Sequence, residues 1–144
     1  MEARLQAIDT SVFDRVLAVS DLHGCDGAFA ALLEKAGFCR RDALVLLGDY
    51  IERGNASLPL VRRIMGLCAG GNVFPLLGNC DTLLDDLFTP RFRGDLLRYL
   101  TKHPKTVLHE MLLEQGIPFS ERTTLEELRA MVETRYAAER AWLR

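Results

Sequence analysis

Ala43-Leu-Val-Leu-Leu-Gly-Asp-Tyr-Ile-Glu-Arg-Gly54 is the stretch on which the reading of the fold turns. Five unbroken apolar residues of strand length mark a buried strand, and Gly48 ends it in a run of polar side chains. Upstream, Arg15-Val-Leu-Ala-Val-Ser20 is a second buried run that leads into Asp21-Leu-His-Gly24. Downstream, Asn72-Val-Phe-Pro-Leu-Leu77 is a third and leads into Gly78-Asn-Cys-Asp81, with Pro75 placing it at an edge or ending it early. Between the runs the period changes. Phe29, Leu32, Leu33 and Ala36 recur at helical spacing before Gly37, and Val61, Ile64, Met65 and Cys68 do so before Gly70-Gly71. Strand–helix–strand–helix–strand predicts an α/β fold with right-handed crossovers and a largely parallel sheet, its strands near 15–20, 43–47 and 72–77.

No convincing strand follows Leu77. Leu96, Leu97 and Leu100 form one helical stripe, and Val107, Leu108, Met111 and Leu112 another that ends at Gly116-Ile-Pro118. Thr124-Leu-Glu-Glu127 is a capping-box pattern opening a last helix that turns Leu125, Leu128, Val132 and Tyr136 inward. The chain therefore reads as one domain over 1–144, with an α/β part at 1–90 and a helical part at 91–144.

Length and composition agree with a single domain. The 144 residues are 49% hydrophobic and 26% charged, within the globular range. Eighteen Lys and Arg against twenty Asp and Glu give a net charge of −2, which offers no footprint for nucleic acid or an anionic membrane. The four cysteines, Cys25, Cys39, Cys68 and Cys80, form no Cys-x-x-Cys pair and read as reduced thiols of a cytoplasmic protein. No signal-peptide stretch or membrane-length apolar run is present.

In an open parallel sheet, ligands bind beyond the carboxyl ends of the strands. All three polar clusters stand there, which would bring Asp21, His23, Asp49 and Asn79 to one edge, with Asp81 as a further candidate. Carboxylates, an imidazole and an amide oxygen suit Mn, Fe or Zn. Two signatures of phosphate chemistry are missing from the residues. Six positions after the four cysteines stand Ala31, Val45, Phe74 and Asp86, none of them the Arg that a cysteine-dependent phosphatase needs, and no Gly-x-x-x-x-Gly-Lys-Ser/Thr run exists.

Asp-x-His-Gly, Gly-Asp-x-x-x-Arg-Gly and Gly-Asn-x-Asp, in this order and spacing, resemble the calcineurin-like metallophosphoesterases. The Arg-Gly ending leans towards their bacterial serine/threonine protein phosphatase branch. The resemblance is strong over residues 15–81 and loose over 95–144, and it implies the first half of a helix-flanked two-sheet sandwich plus a helical insert. It also implies two divalent metal ions, Mn, Fe or Zn. Asp21 and His23 would hold the first, Asp49 would bridge both, and Asn79 would bind the second. Arg53 would grip the phosphate oxygens with its planar fork, and a metal-activated hydroxide would attack phosphorus. The expected substrate is a phosphate ester of a protein, a nucleotide or a small molecule.

Three departures from the family pattern bear on activity. Cys80 stands where a His usually protonates the leaving group, and Glu52 stands where an Asp usually orients that His. The further metal-binding histidines of the family, in a His-Gly segment, have no counterpart here; His103 and His109 read as helix-face residues. Each assignment has a plainer alternative. Asn79 could cap the next helix, Arg53 could be a solvated cation, and Cys80 could be a poor proton donor or an inert small residue. The competing reading of the whole chain is a weak or inactive phosphoesterase-fold binding module, with apolar sheet surface that favours self-association.

Overall fold

The structure, a computed structural model, describes residues 7–89 and 95–144. Strands β1 (Arg15–Val19), β2 (Asp42–Leu46) and β3 (Val73–Pro75) form one parallel sheet in the order β1-β2-β3. Helices α1 (Asp26–Lys35) and α2 (Ser57–Cys68) make the two crossovers. The expected α/β class is the one the chain adopts. Strand β3 is an edge and stops at Pro75, short of the anticipated end at Leu77, although the Leu76 N–H still donates to the Leu46 carbonyl at 2.8 Å. At its entry the Asn72 amide donates to the carbonyls of Asp42 (2.8 Å) and Cys39 (3.2 Å), tying β3 to the start of β2.

The register sorts the sheet into two faces. Leu17, Leu44 and Val73 stand level, and Val19 stands beside Leu46; these residues join the core on the helix side. Alternation places Val16, Ala18, Val45, Leu47, Phe74 and Leu76 on the other face. That face is open: Val16 is 52% exposed, Leu47 48% and Leu76 54%. Phe13 shields part of it by an edge contact with Phe74, ring centroids 6.0 Å apart. The reading of 15–20 as a buried strand is thus corrected, because an apolar run reports that a strand wants cover and not that cover is present. Only the central strand β2 is buried along nearly its whole length. Helix α1 forms over the expected stripe, whose residues divide between core and solvent. Phe29 is buried and Leu33 packs on the core, but Leu32 is 45% exposed.

Beyond β3 come α3 (Leu83–Asp86), α4 (Leu96–Lys102), α5 (Val107–Glu114), α6 (Leu125–Arg135) and α7 (Ala137–Trp142), with no strand among the described residues. The capping box of α6 forms as expected: Thr124 Oγ1 accepts from the Glu127 N–H at 3.2 Å, and Glu127 Oε2 accepts from the Thr124 N–H at 2.8 Å. Tyr136 ends α6 and starts α7, its ring buried and its hydroxyl 3.0 Å from the Met111 carbonyl and 2.7 Å from Glu114. Leu128 and Val132 are buried with it, while Leu125 is only half-buried. One continuous core runs from Leu44 and Leu46 through Ile64 to Leu108, Met111 and Val132.

The helical part is fastened to α2 by charge as well as by packing. Arg62 bridges Glu114 at 2.7 Å and Glu139 at 2.8 Å. The start of α2 has no side-chain cap of its own, since Ala56 precedes it. The carboxylate of Glu110 on α5 supplies one, accepting from the Ser57 and Leu58 N–H groups at 2.8 Å each. A carboxylate there meets two orphan donors and the positive end of the helix dipole. Glu110→Ala is expected to cost about 1–3 kcal/mol in urea denaturation, and Glu110→Gln less because an acceptor remains. An alanine variant as stable as the parent would show that this cap contributes nothing.

Candidate metal centre

The three polar clusters continue from the strands as loops that keep hydrogen-bonding to one another. The Asp21 N–H donates to the Gly48 carbonyl (3.2 Å), His23 to Asp49 (2.9 Å) and Gly24 to Tyr50 (2.7 Å). The second and third loops are joined by Asp81. Its fully buried carboxylate accepts from the N–H groups of Asp49, Tyr50 and Gly78 at 2.8 Å and of Ile51 at 3.3 Å. Burial pushes this carboxyl up, against the pull of its backbone donors. Asp81 was a further candidate for the exposed edge; it lies beneath the loops instead. Glycine is required where the loops meet, because a Cβ on Gly78 would collide with Asp49 Oδ1 and one on Gly48 with the Gly78 nitrogen.

The loop backbone is strained at the residues of interest. Among the described residues, the non-glycine positions with left-handed φ are Asp21 (55°), His23 (40°), Asp49 (58°), Glu52 (73°) and Arg53 (66°). Each costs on the order of 1–3 kcal/mol and persists only where the surroundings dictate it. All five belong to the predicted site.

These conformations bring several donors together. One ligand atom from each of His23, Asp49 and Cys80 lies within 4.8 Å of the other two, and Asp21 Oδ1 is 3.7 Å from His23 Nε2. His23 Nδ1 lies 3.1 Å from the Ile51 carbonyl, which only accepts, so Nδ1 carries the proton and Nε2 presents a lone pair. Nε2 is buried and has no hydrogen-bond partner among the described residues. An orphaned imidazole nitrogen facing two carboxylates and a thiol fits a divalent cation. Asp49 also accepts from the Cys80 N–H at 2.9 Å, which fixes its carboxylate. Asn79 starts the short turn Cys80–Thr82 but makes no side-chain cap, so the capping alternative does not hold; its amide lies 3.6 Å from Cys80 Sγ. Burial, and then Asp49, push the Cys80 thiol up.

Glu52 does not face Cys80 as an orienting partner. It is buried and turns to the helical part, accepting from the Val107 N–H at the start of α5 (3.1 Å) and from the Tyr99 hydroxyl (3.3 Å). Burial pushes its pKa up to about 7, only partly offset by these donors. Arg53 is exposed and shares with Cys80 and Glu52 a cavity of about 400 Å³, whose far wall is Tyr99, Lys102, His103, Pro104 and Lys105. The sequence reading missed that wall, since isolated lysines on a helix end look merely solvated. Between the unfolded value near 4.5 and the folded value near 7, the folded state holds the extra Glu52 proton, so this group's contribution to stability falls as pH rises and levels off above 7. In metal-free protein, Glu52→Gln should gain in melting temperature over the parent between pH 5 and 8, by several degrees at the upper end. A gap independent of pH would refute the assignment.

The sequence matches the calcineurin-like phosphoesterase family over residues 14–139. Among curated proteins it is similar to the symmetrical bis(5'-nucleosyl)-tetraphosphatase of Acidovorax sp. (strain JS42), 50% identical over 64 residues covering 44% of this chain and 22% of that protein. The protein of the same name from Acidovorax ebreus (strain TPSY) is 38% identical over 104 residues, 60% of this chain and 36% of that one. That of Chromohalobacter salexigens is 34% identical over 122 residues, covering 70% and 44%. The chain thus spans between 22% and 44% of the length of these relatives. Three motif loops on parallel strands, converging on an orphaned histidine nitrogen, agree with the sequence match: the chain belongs to the calcineurin-like phosphoesterase family.

Proposed function

We propose that this chain is the metal-binding part of a phosphoesterase that hydrolyses nucleoside oligophosphates, with dinucleoside tetraphosphates foremost. The observation that carries the reading is the convergence of His23, Asp49 and Cys80 within 4.8 Å, with Asp21 beside them and Arg53 lining the adjoining cavity. Calcineurin-like phosphoesterases use a dinuclear divalent metal centre. Asp21, His23, Asp49 and Asn79 would hold the ions, and Cys80 is placed to approach them; Mn, Fe or Zn suit this mixed set. When bound, the ions supply Lewis-acid polarisation of the phosphoryl group and lower the pKa of water.

The chain's own residues do the rest. Ile51 holds the His23 tautomer through its carbonyl, and Asp81 fixes the loop that carries Asp49. Arg53 takes the non-bridging phosphate oxygens in its fork. Cys80 would be a poorer proton donor than the imidazole usual at that place, which favours substrates whose leaving group needs none. Water attacking a central phosphorus of a dinucleoside tetraphosphate breaks one P–O–P bond and yields two nucleoside diphosphates. One departs with the bridging oxygen as a stabilised phosphate anion, and the other keeps the oxygen of water. A phosphoserine ester must instead expel an alkoxide, which calls for an acid. The names of the relatives point the same way. A phosphoprotein substrate, suggested by the Arg-Gly ending, is the second reading. In both, residues 1–90 carry the motifs and 91–144 form a helical insert of one domain, whose open sheet face at Val16, Leu47 and Leu76 invites self-association.

The test is hydrolysis of diadenosine tetraphosphate, nitrophenyl phosphate and a phosphoserine peptide by Mn-loaded protein. The first two should be cleaved and the third barely. No turnover of any of them would favour the inactive binding module. Cys80→His should raise phosphoserine hydrolysis by at least tenfold, toward the roughly 10²–10⁴-fold that general acid catalysis supplies. No gain in a folded, metal-loaded variant would remove Cys80 from the acid position. Asp49→Asn, measured by elemental analysis, should lose most of the bound metal while its far-ultraviolet spectrum is unchanged; full occupancy would show that Asp49 is no ligand.

A further inference from the structure

The cavity beside the metal centre is lined by charge of one accessible sign. Arg53 stands on the motif loop, Lys102 ends α4, and His103 and Lys105 lie on the connector to α5. Glu52, its one acid among the described residues, is buried, and its two oxygens are taken by Val107 and Tyr99. Lys102 and Lys105 are exposed and enter no ion pair among the described residues. A lysine in the last turn of a helix complements the dipole, which accounts for Lys102. It does not account for Lys105, which follows the helix on a segment stiffened by Pro104. His103 is held too, its ring centroid 4.4 Å from that of Tyr99. At about 400 Å³ the space lies in the lower range of small-ligand sites, roughly 300–1,000 Å³, and Cys80 connects it to the metal centre.

We infer that this cavity is an oligophosphate subsite, in which Lys102 and Lys105 hold the phosphates beyond the one engaged by Arg53 and the metal centre. The inference rests on the nucleoside-oligophosphate reading and extends it to residues that the motifs do not contain. A single phosphate would engage Arg53. A linear chain of three or more would extend to the lysines lining the same cavity, each adding a charge-assisted contact. The subsite therefore selects chain length. Two sources share this chemistry, a free inorganic chain and the chain of a nucleotide.

Isothermal titration of metal-free protein separates binding from hydrolysis, so loss of the catalytic reading leaves this test intact, and the reverse holds as well. The probes are orthophosphate, tripolyphosphate and ATP at low ionic strength. Tripolyphosphate is expected to bind about tenfold or more tighter than orthophosphate. Lys102→Ala/Lys105→Ala should weaken tripolyphosphate and ATP at least about fivefold and leave orthophosphate unchanged. Both positions are exposed, and a circular dichroism melt confirms that the variant folds. Loss for tripolyphosphate alone would assign the subsite to free chains, and loss for both probes to nucleotides as well. Lys35→Ala on α1 should change nothing. Equal affinity for one and three phosphates, an unaffected double variant, or an equal loss in Lys35→Ala would each overturn the inference.

Discussion

The carboxylate of Asp81 sits beneath the junction of two motif loops and takes four backbone N–H groups, three from the loop that carries Asp49 and one from its own. A turn of this kind leaves several amides pointing inward, and a buried amide without a partner costs about 1–3 kcal/mol. One carboxylate meets all four. Because its donors lie on both loops, Asp81 fixes their separation as well as their shapes. The spacing of Asp49 from Cys80, and the hydrogen bond between them, follow from it. The acid at the end of Gly-Asn-Cys-Asp thus shapes the site without facing it.

With the two loops pinned, the left-handed conformations at Asp49, Glu52 and Arg53 become intelligible. No local preference of a glutamate or an arginine selects such a φ. The constraint comes from outside: loop one bonds across to Gly48, Asp49 and Tyr50, and Asp81 holds the same segment from below. Strain placed this way turns side chains toward a common point that relaxed backbone would spread apart. It is affordable because the strand ends and the core beneath it, with Leu46 and Tyr50 fully buried, are rigid.

How far the sequence reveals this follows the same division. Motif residues were legible because their chemistry demands a residue type at a strand end, and the three strands were legible as apolar runs between helical stripes. Orientation was not. Asp49 and Asp81 are the same residue type in similar loops, yet one faces outward and the other inward, and only the loop hydrogen bonds distinguish them. Glu52 showed the same ambiguity, turning to α5 where the motif suggested Cys80. Strand β1 differs for another reason: hydrophobicity records a demand for burial, and among the described residues Val16, Leu47 and Leu76 stay about half exposed on that face.

The exchange of caps between loop and helices bears on how the helical part could serve the chemistry. Glu52, three residues after Asp49, caps α5, and Glu110 of α5 caps α2, the helix that follows the same loop. Loop, α5 and α2 therefore close a ring of carboxylate-to-amide contacts, and none of the three can shift alone without stranding a buried charge or bare amides. The connector carrying Lys105 leads directly into α5, so its cations inherit this anchoring. A subsite on a free loop would adjust to phosphate chains of any length. One tied through α5 to the loop of Asp49 keeps a fixed distance between the metal centre and the lysines, and a fixed distance is what discrimination by chain length requires.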